Sequence, residues 1–156
     1  MAIIFEGYSK CPICTKVLDR GKEFTAFPPL ISNTRDKVYL FSDAGVHVDC
    51  LNEHPTGQLA LFYRNEYHKS FESNRCVTDG LAIEDPRNIL NFGLLSSDTT
   101  EELSTFNFLK LNTLNIAKWR QREAFLQVAD KFIKEGKWDG FMGFNSLERL
   151  MGELKR

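Results

Sequence analysis

The sequence lacks the short motifs that mark most catalytic and nucleotide-binding sites. It contains no G-x-x-x-x-G-K-[ST] phosphate loop, no G-x-G-x-x-G, no G-x-S-x-G and no H-E-x-x-H. It also lacks a run of about 18 apolar residues, the length from which a membrane-spanning helix is predicted. These absences favour a protein that is neither an enzyme nor a membrane protein.

An excess of charge of one sign is missing as well. Lys and Arg number 20 and Asp and Glu number 21, which gives a formal net charge of −1. Such a chain has no overall basic field to attract nucleic acid or an anionic membrane. The first residues, Met-Ala-Ile-Ile-Phe-Glu-Gly, contain no basic segment ahead of a long apolar run. We therefore expect no signal peptide.

Cysteine is scarce, and three of the four cysteines fall into one pattern. Cys11 and Cys14 form C-x2-C, and His47 and Cys50 form H-x2-C. Thiolate and imidazole are the ligands that zinc prefers in tetrahedral structural sites. A tight turn can aim both sulfur atoms of C-x2-C at one ion, and residues three apart lie on one face of a helix. We predict a structural Zn²⁺ site with these four ligands. We also predict that the protein is cytoplasmic, because a reducing compartment keeps cysteines as thiols.

The Cys11–Cys14 pair has an alternative interpretation, and His54 is a further candidate ligand. A C-x2-C pair also forms the disulfide of thioredoxin-like redox motifs, but those need a long helix directly after it. Gly21 and Pro28-Pro29 interrupt the region that follows. His54 is a spare donor that precedes Pro55, which disfavours helical geometry. We expect His54 at the end of the ligand helix and outside the ligand shell.

The local patterns around the ligands predict an order of elements. Residues 3–5 are predicted to form a short strand that enters the Cys11–Cys14 turn. The β-branched and aromatic run 37–41 is predicted to be a strand, and Ala44–Glu53 a helix that carries His47 and Cys50. A four-ligand shell leaves no open coordination position, so we expect a structural ion and no catalytic residue.

The stretch from Cys11 to Cys50 resembles the treble-clef zinc-finger superfamily, with a ligand pattern like the first finger of a LIM domain. The resemblance implies a binding scaffold. The same region is similar to small bacterial proteins that carry a C-P-x-C turn, a Phe-Ser-Asp lead-in and a ligand helix. Some of those act as immunity proteins, which implies that this chain neutralises a partner protein.

The rest of the chain predicts a small antiparallel sheet and helices, and thus an α+β fold. Pro55 opens a helix that ends near residues 71–74. The segments 89–95 and 105–111 are predicted to form antiparallel strands. We divide the chain into a treble-clef part, 1–58, and an α+β part, 59–156, that together form one compact unit.

The C-terminal region contains the clearest helical pattern. Apolar residues at helical spacing from 114 to 135 predict a long helix, with Gly136 as its C-terminal cap. Asn145 or Ser146 is predicted to cap a short final helix. Cys76 is predicted to be a buried apolar residue and not a nucleophile.

Two partner classes follow from the distribution of charge. The acidic segment 96–102, with Asp98, Glu101 and Glu102, suits a basic protein partner such as a nuclease toxin. The alternative is a nucleic-acid-associated zinc protein. It would bind through four basic residues: Lys118, Arg120, Arg122 and Lys137. A hydrolytic treble clef of the HNH type is a more distant alternative, because it needs a further histidine constellation that the sequence does not place.

Overall fold

The computed structural model describes residues 2–140 and 145–156, which contain four short strands and four α-helices. The strands are β1 Phe24–Ala26, β2 Gly45–His47, β3 Ile89–Asn91 and β4 Lys110–Asn112. The helices are α1 Val48–Glu53, α2 Gly57–Lys69, α3 Arg122–Lys134 and α4 Ser146–Lys155. This mixture of helices with two small antiparallel sheets confirms the α+β fold class.

The N-terminal sheet leads directly into a pair of helices. Strand β1 pairs antiparallel with β2, with Phe24 opposite His47. Helix α1 begins at the next residue, and α2 follows after a short turn. A Cβ atom at Gly57 would lie 1.9 Å from the carbonyl oxygen of Leu51, so glycine at this position allows α2 to approach α1 closely.

The strand predicted at 37–41 is wrong. Tyr39–Phe41 is instead a 3₁₀-helix. The Asp36 carboxylate accepts a hydrogen bond from the Val38 amide at 3.0 Å, and the Asp36 carbonyl accepts one from the Tyr39 amide at 3.1 Å. These local bonds turn the backbone, and Phe41 is then buried in the core. The β propensity of the run reflects burial of its apolar side chains, not pairing.

Two further predictions near the ligands need correction. The partner of β1 is β2, so the helix predicted from Ala44 begins at Val48. Residues 3–5 form no strand, because the Phe5 amide donates to the Ser9 hydroxyl and the Phe5 carbonyl accepts from the Ser9 amide. The segment ahead of the first cysteine is therefore a turn.

The predicted antiparallel pair in the second half is confirmed, although each strand is only three residues long. Strands β3 and β4 pair with Leu90 opposite Leu111. In the remainder of the predicted second strand, 105–106 end a 3₁₀-helix at Glu102–Phe106, and a turn leads from there to β4. Helix α2 begins at Gly57 and not at Pro55.

The long helix predicted from 114 to 135 is divided in two. A 3₁₀-helix covers Thr113–Lys118, the backbone is extended at Trp119, and α3 follows. The break buries the Trp119 ring in the core. The predicted caps are confirmed: Gly136 has a φ of 70° just after α3, and the Asn145 side chain accepts from the Glu148 amide at the start of α4.

The buried apolar residues form two clusters. The C-terminal core is made by β3, β4, α3, α4 and the segments between them. The N-terminal core contains the residues around β1 and β2 and the buried side of α2, together with Leu94 and Phe108 from the second half. The division of the chain into two parts at residue 58 stays a prediction. The buried side chains of α2 pack in the N-terminal core.

In residues 2–140 and 145–156, no helix combines the length and the apolar character that crossing a membrane requires.

Candidate metal centre

The four predicted ligand residues come together in the structure. The sulfur atoms of Cys11, Cys14 and Cys50 and a ring nitrogen of His47 all lie within 4.8 Å of one another. The Cys14 sulfur and His47 Nδ1 are 3.3 Å apart. Cys11 is fully buried and His47 is 2% exposed, while Cys14 and Cys50 are half-buried. The cluster is geometrically suited to hold one metal ion.

The first two ligands lie on a tight turn between residues that pair with each other. Lys10 and Val17 form an antiparallel bridge, and the Cys11 amide donates to the Lys16 carbonyl at 2.9 Å. Within the turn, Thr15 has a φ of 61°, a left-handed conformation that is uncommon for threonine. This backbone conformation returns the chain and directs both sulfur atoms inward.

The other two ligands lie at the junction of β2 and α1. His47 is the last residue of β2 and has an extended backbone, with ψ at 139°. Cys50 lies in the first turn of α1. The prediction that both residues share one helix face is therefore wrong. The strand orients the imidazole and the helix orients the thiol, so two elements fix the second pair.

The electrostatics of the cluster favour a bound cation. Burial acts to raise the pKa of Cys11, but backbone amides of Cys14, His47 and Ile13 donate hydrogen bonds that outweigh it and lower the pKa to about 6. Burial, followed by a hydrogen bond with Cys14 and the negative charge of Cys11, raises the pKa of Cys50 to about 11. A metal ion would neutralise this repulsion between thiolates.

His54 and Cys76 do not belong to the cluster. His54 lies at the end of α1, where its Nδ1 accepts from the Thr56 amide at 3.2 Å and its ring contacts Phe41. Cys76 is buried in the C-terminal core, as predicted, and its sulfur accepts from the Asn112 amide. Among the described residues, the candidate metal-binding cluster has only the four predicted members.

The acidic segment is engaged within the chain itself. Lys37 Nζ lies 2.6 Å from the Asp98 carboxylate, and its hydrogen bond lowers the pKa of Asp98 well below the usual value. Lys137 Nζ lies 2.8 Å from Glu101. Glu102 is exposed and makes no ion pair in the described part of the chain. Glu102 is thus the member of the trio that is free to meet a partner.

The four basic residues do not form one free surface. Lys137 is paired with Glu101 and Glu135, and Arg122 lies 3.8 Å from Glu123. Lys118 and Arg120 are exposed and make no ion pair within residues 2–140 and 145–156. Only these two are available to an anionic ligand without loss of an internal contact.

A polar contact region between the two cores was missed by sequence reasoning. Asn33 is 2% exposed; its Nδ2 donates to the Lys137 carbonyl and its Oδ1 accepts from the Asp139 amide. The Asp36 carboxylate accepts from both the amide and the hydroxyl of Ser97. The composition of residues 33–36 predicts a turn. It does not indicate that Asn33 and Asp36 form hydrogen bonds with residues far along the chain.

Comparisons with protein-family models, with curated proteins and with solved structures find no match to this chain. The interpretation of the site rests on its residues and their geometry.

Proposed function

We propose that the chain is a non-enzymatic protein-binding module whose N-terminal part is a treble-clef zinc finger. The observation that carries the proposal is the cluster of three sulfur atoms and one imidazole nitrogen within 4.8 Å. Zinc prefers this donor set, and four protein ligands close a tetrahedral shell. The ion would stabilise the fold and would have no open position for a substrate.

The order of elements supports the treble-clef interpretation. A turn carries Cys11 and Cys14, an antiparallel pair follows, and a helix carries Cys50. In a fold of this kind the metal joins the turn to the helix. Such a link would add stability, because β1 and β2 are each only three residues long.

We further propose that the partner is a basic protein and that the chain neutralises it, as immunity proteins do. The support is Glu102, an exposed carboxylate with no internal ion pair in the described region, beside the paired residues Asp98 and Glu101. Glu102 would meet the partner directly. The two paired carboxylates would contribute longer-range attraction that steers association.

The test is native mass spectrometry of the full chain captured from its source cells. The expected species contains one zinc ion and one basic protein partner. Glu102→Lys should reduce capture by about tenfold, while Glu84→Lys, a matched change at another exposed site, should leave it unchanged. A chain without zinc, or equal capture by both variants, would contradict the respective half of the proposal.

A second candidate function is nucleic-acid binding, which Lys118 and Arg120 favour because they lack internal ion pairs within the described residues. With two or three phosphate contacts, the logarithm of the binding constant should fall with the logarithm of salt concentration with a slope of about −2. Absence of DNA or RNA binding at low salt would remove this candidate.

A further inference from the structure

A cavity of about 680 Å³ lies in the C-terminal half, where the turn at 77–79 faces the start of α3. Its volume is in the range of sites that hold small molecules. It lies outside the metal centre and outside the acidic segment, so an inference about it does not depend on the proposed protein-binding function. It shares Lys118 and Arg120 with the second candidate function.

Two of the residues that line this cavity are cations without partners. Lys118 and Arg120 both line it, and neither makes an ion pair or a side-chain hydrogen bond with the described residues. Elsewhere in the chain, Lys37, Lys69 and Lys137 each lie within 3.0 Å of a carboxylate oxygen. The charge at the cavity is therefore available to a ligand.

Further hydrogen-bond donors lie between and beside the two cations. Trp119 lines the cavity and is 5% exposed, and its indole N–H has no acceptor in the described part of the chain. Thr78 also lines the cavity, and its hydroxyl oxygen is buried without a hydrogen-bond partner among the described residues, which indicates a position for an external polar group. At the N-terminus of α3, Gln121 makes no side-chain capping bond. The Arg122 amide donates to the Trp119 carbonyl at 3.1 Å, and the amides that follow it in the first turn favour an anion.

One carboxylate also lines the cavity, but its oxygen atoms are directed to protein donors. Asp79 Oδ1 accepts from the Leu81 amide at 3.1 Å, and Oδ2 accepts from Asn115 Nδ2 at 2.7 Å. The hydrogen bond from Leu81 contributes most to lowering the pKa of Asp79. The lining therefore carries two free cations against one carboxylate, and the carboxylate has lone pairs left for a ligand hydroxyl or amino group.

We propose that this cavity binds a small phosphorylated ligand. The phosphate would contact Lys118, Arg120 and the amides that follow Arg122 in the first turn of α3, and the indole N–H would donate to one of its oxygens. An arginine and a lysine with several neutral donors match a phosphate dianion better than a carboxylate, because the phosphate offers three strong acceptor oxygens. The neutral part of the ligand would lie against the turn at 77–79.

The test uses the full, zinc-loaded chain with AMP, inorganic phosphate and adenosine as probes. Binding is followed by nuclear magnetic resonance at the indole N–H signals of Trp119 and Trp138. AMP and phosphate should shift the Trp119 signal in a saturable manner and leave Trp138 unchanged. Adenosine, which has no phosphate, should produce no shift at the same concentration.

The decisive variant pair compares the cavity with a distant cationic site. K118A/R120A should weaken AMP binding at least about tenfold, whereas R149A/K155A, which removes two exposed cations from α4, should not. K118R/R120K keeps both charges and should retain binding if folding is intact. No saturable shift, an equal shift with adenosine, equal loss in both alanine pairs, or binding of single-stranded oligonucleotides alone would overturn the proposal.

Discussion

The backbone N–H of Phe108 donates to the carbonyl oxygen of Gly93 at 2.6 Å, and both residues have positive φ. This pair ends the β3–β4 ladder. Beyond it, the side chains of Leu94 and Phe108 pack in the N-terminal core, although their neighbours Phe92 and Phe106 pack in the C-terminal core. A left-handed residue in each of the two segments, 92–94 and 106–108, thus allows that segment to contribute side chains to both cores.

Replacement of Phe108 tests this link. Phe108→Ala should lower the free energy of unfolding by about 2 kcal/mol, because a partly buried ring is lost from the N-terminal core. Phe108→Gly loses the same ring but tolerates the left-handed backbone, where alanine costs about 1 kcal/mol. The glycine variant should therefore be at least as stable as the alanine variant in urea unfolding. The opposite order would show that the positive φ at 108 does not constrain the chain.

Removal of the proposed zinc ion should affect the two cores differently. Both tryptophans lie in the C-terminal core, whereas the four ligands lie beside the N-terminal core. Cys50→Ser, or a chelator at neutral pH, should lower the melting temperature by about 10 °C, because the link from the turn to α1 is lost. Tryptophan fluorescence should change less than the far-ultraviolet circular dichroism.

The matched control for this prediction is Cys76→Ser, which alters a buried cysteine outside the cluster. This variant should keep one zinc per chain, even though its stability falls. A Cys50→Ser chain that retains stoichiometric zinc and the wild-type melting temperature would exclude Cys50 as a ligand.

The cluster of four candidate ligands could be predicted from the sequence because metal binding requires particular residue types whatever the fold. Two close pairs of cysteine and histidine residues predict a metal site whether His47 lies on a strand or on a helix. The four residues therefore come together in the structure, although the helix predicted for His47 is wrong. The α3 and α4 caps were predictable for a related reason. Gly136 and Asn145 satisfy backbone groups of their own helix, so their signal is local.

The parts that could not be predicted depend on partners far away in the chain. The run at 37–41 has strand-forming composition, yet Asp36 turns it and its apolar residues enter a core built by other segments. Asn33 looks like an ordinary turn residue, and only the fold shows that it bonds to residues more than 100 positions away. Burial of such polar groups is a property of the tertiary structure.

Asn33 therefore offers a test of the contact between the two halves. Asn33→Ala should lower the free energy of unfolding by about 2–3 kcal/mol, because the Lys137 carbonyl and the Asp139 amide lose their partner. Asn33→Asp should be as harmful despite its equal size, since it places a carboxylate oxygen against the Lys137 carbonyl. Asn65→Asp, at an exposed site on α2, is the control. Wild-type stability of Asn33→Asp in urea would show that the donated bond contributes little.

Lys110 carries a positive charge although the residue is almost completely buried. It is 6% exposed, and its ammonium donates to the carbonyls of Ser70 and Ser73 and to the Asn74 side chain. Ser70 caps the C-terminus of α2, where the helix carries partial negative charge. Lys110→Met keeps the length but leaves three oxygen atoms without this donor, so the free energy of unfolding at pH 7 should fall by about 2 kcal/mol.

The pH dependence of this difference separates hydrogen bonding from burial. Burial lowers the pKa of Lys110 from its ordinary value of 10.5, so the unfolded chain holds the proton more tightly than the folded chain does. Stability therefore rises as the pH increases from the lowered pKa towards 10.5, and only the wild type has this contribution. The stability gap between wild type and Lys110→Met should widen on going from pH 7 to pH 10 in urea unfolding, while Lys131→Met, at an exposed site, shows no such trend. A gap that narrows would mean that the three oxygen atoms stabilise the ammonium by more than burial penalises it.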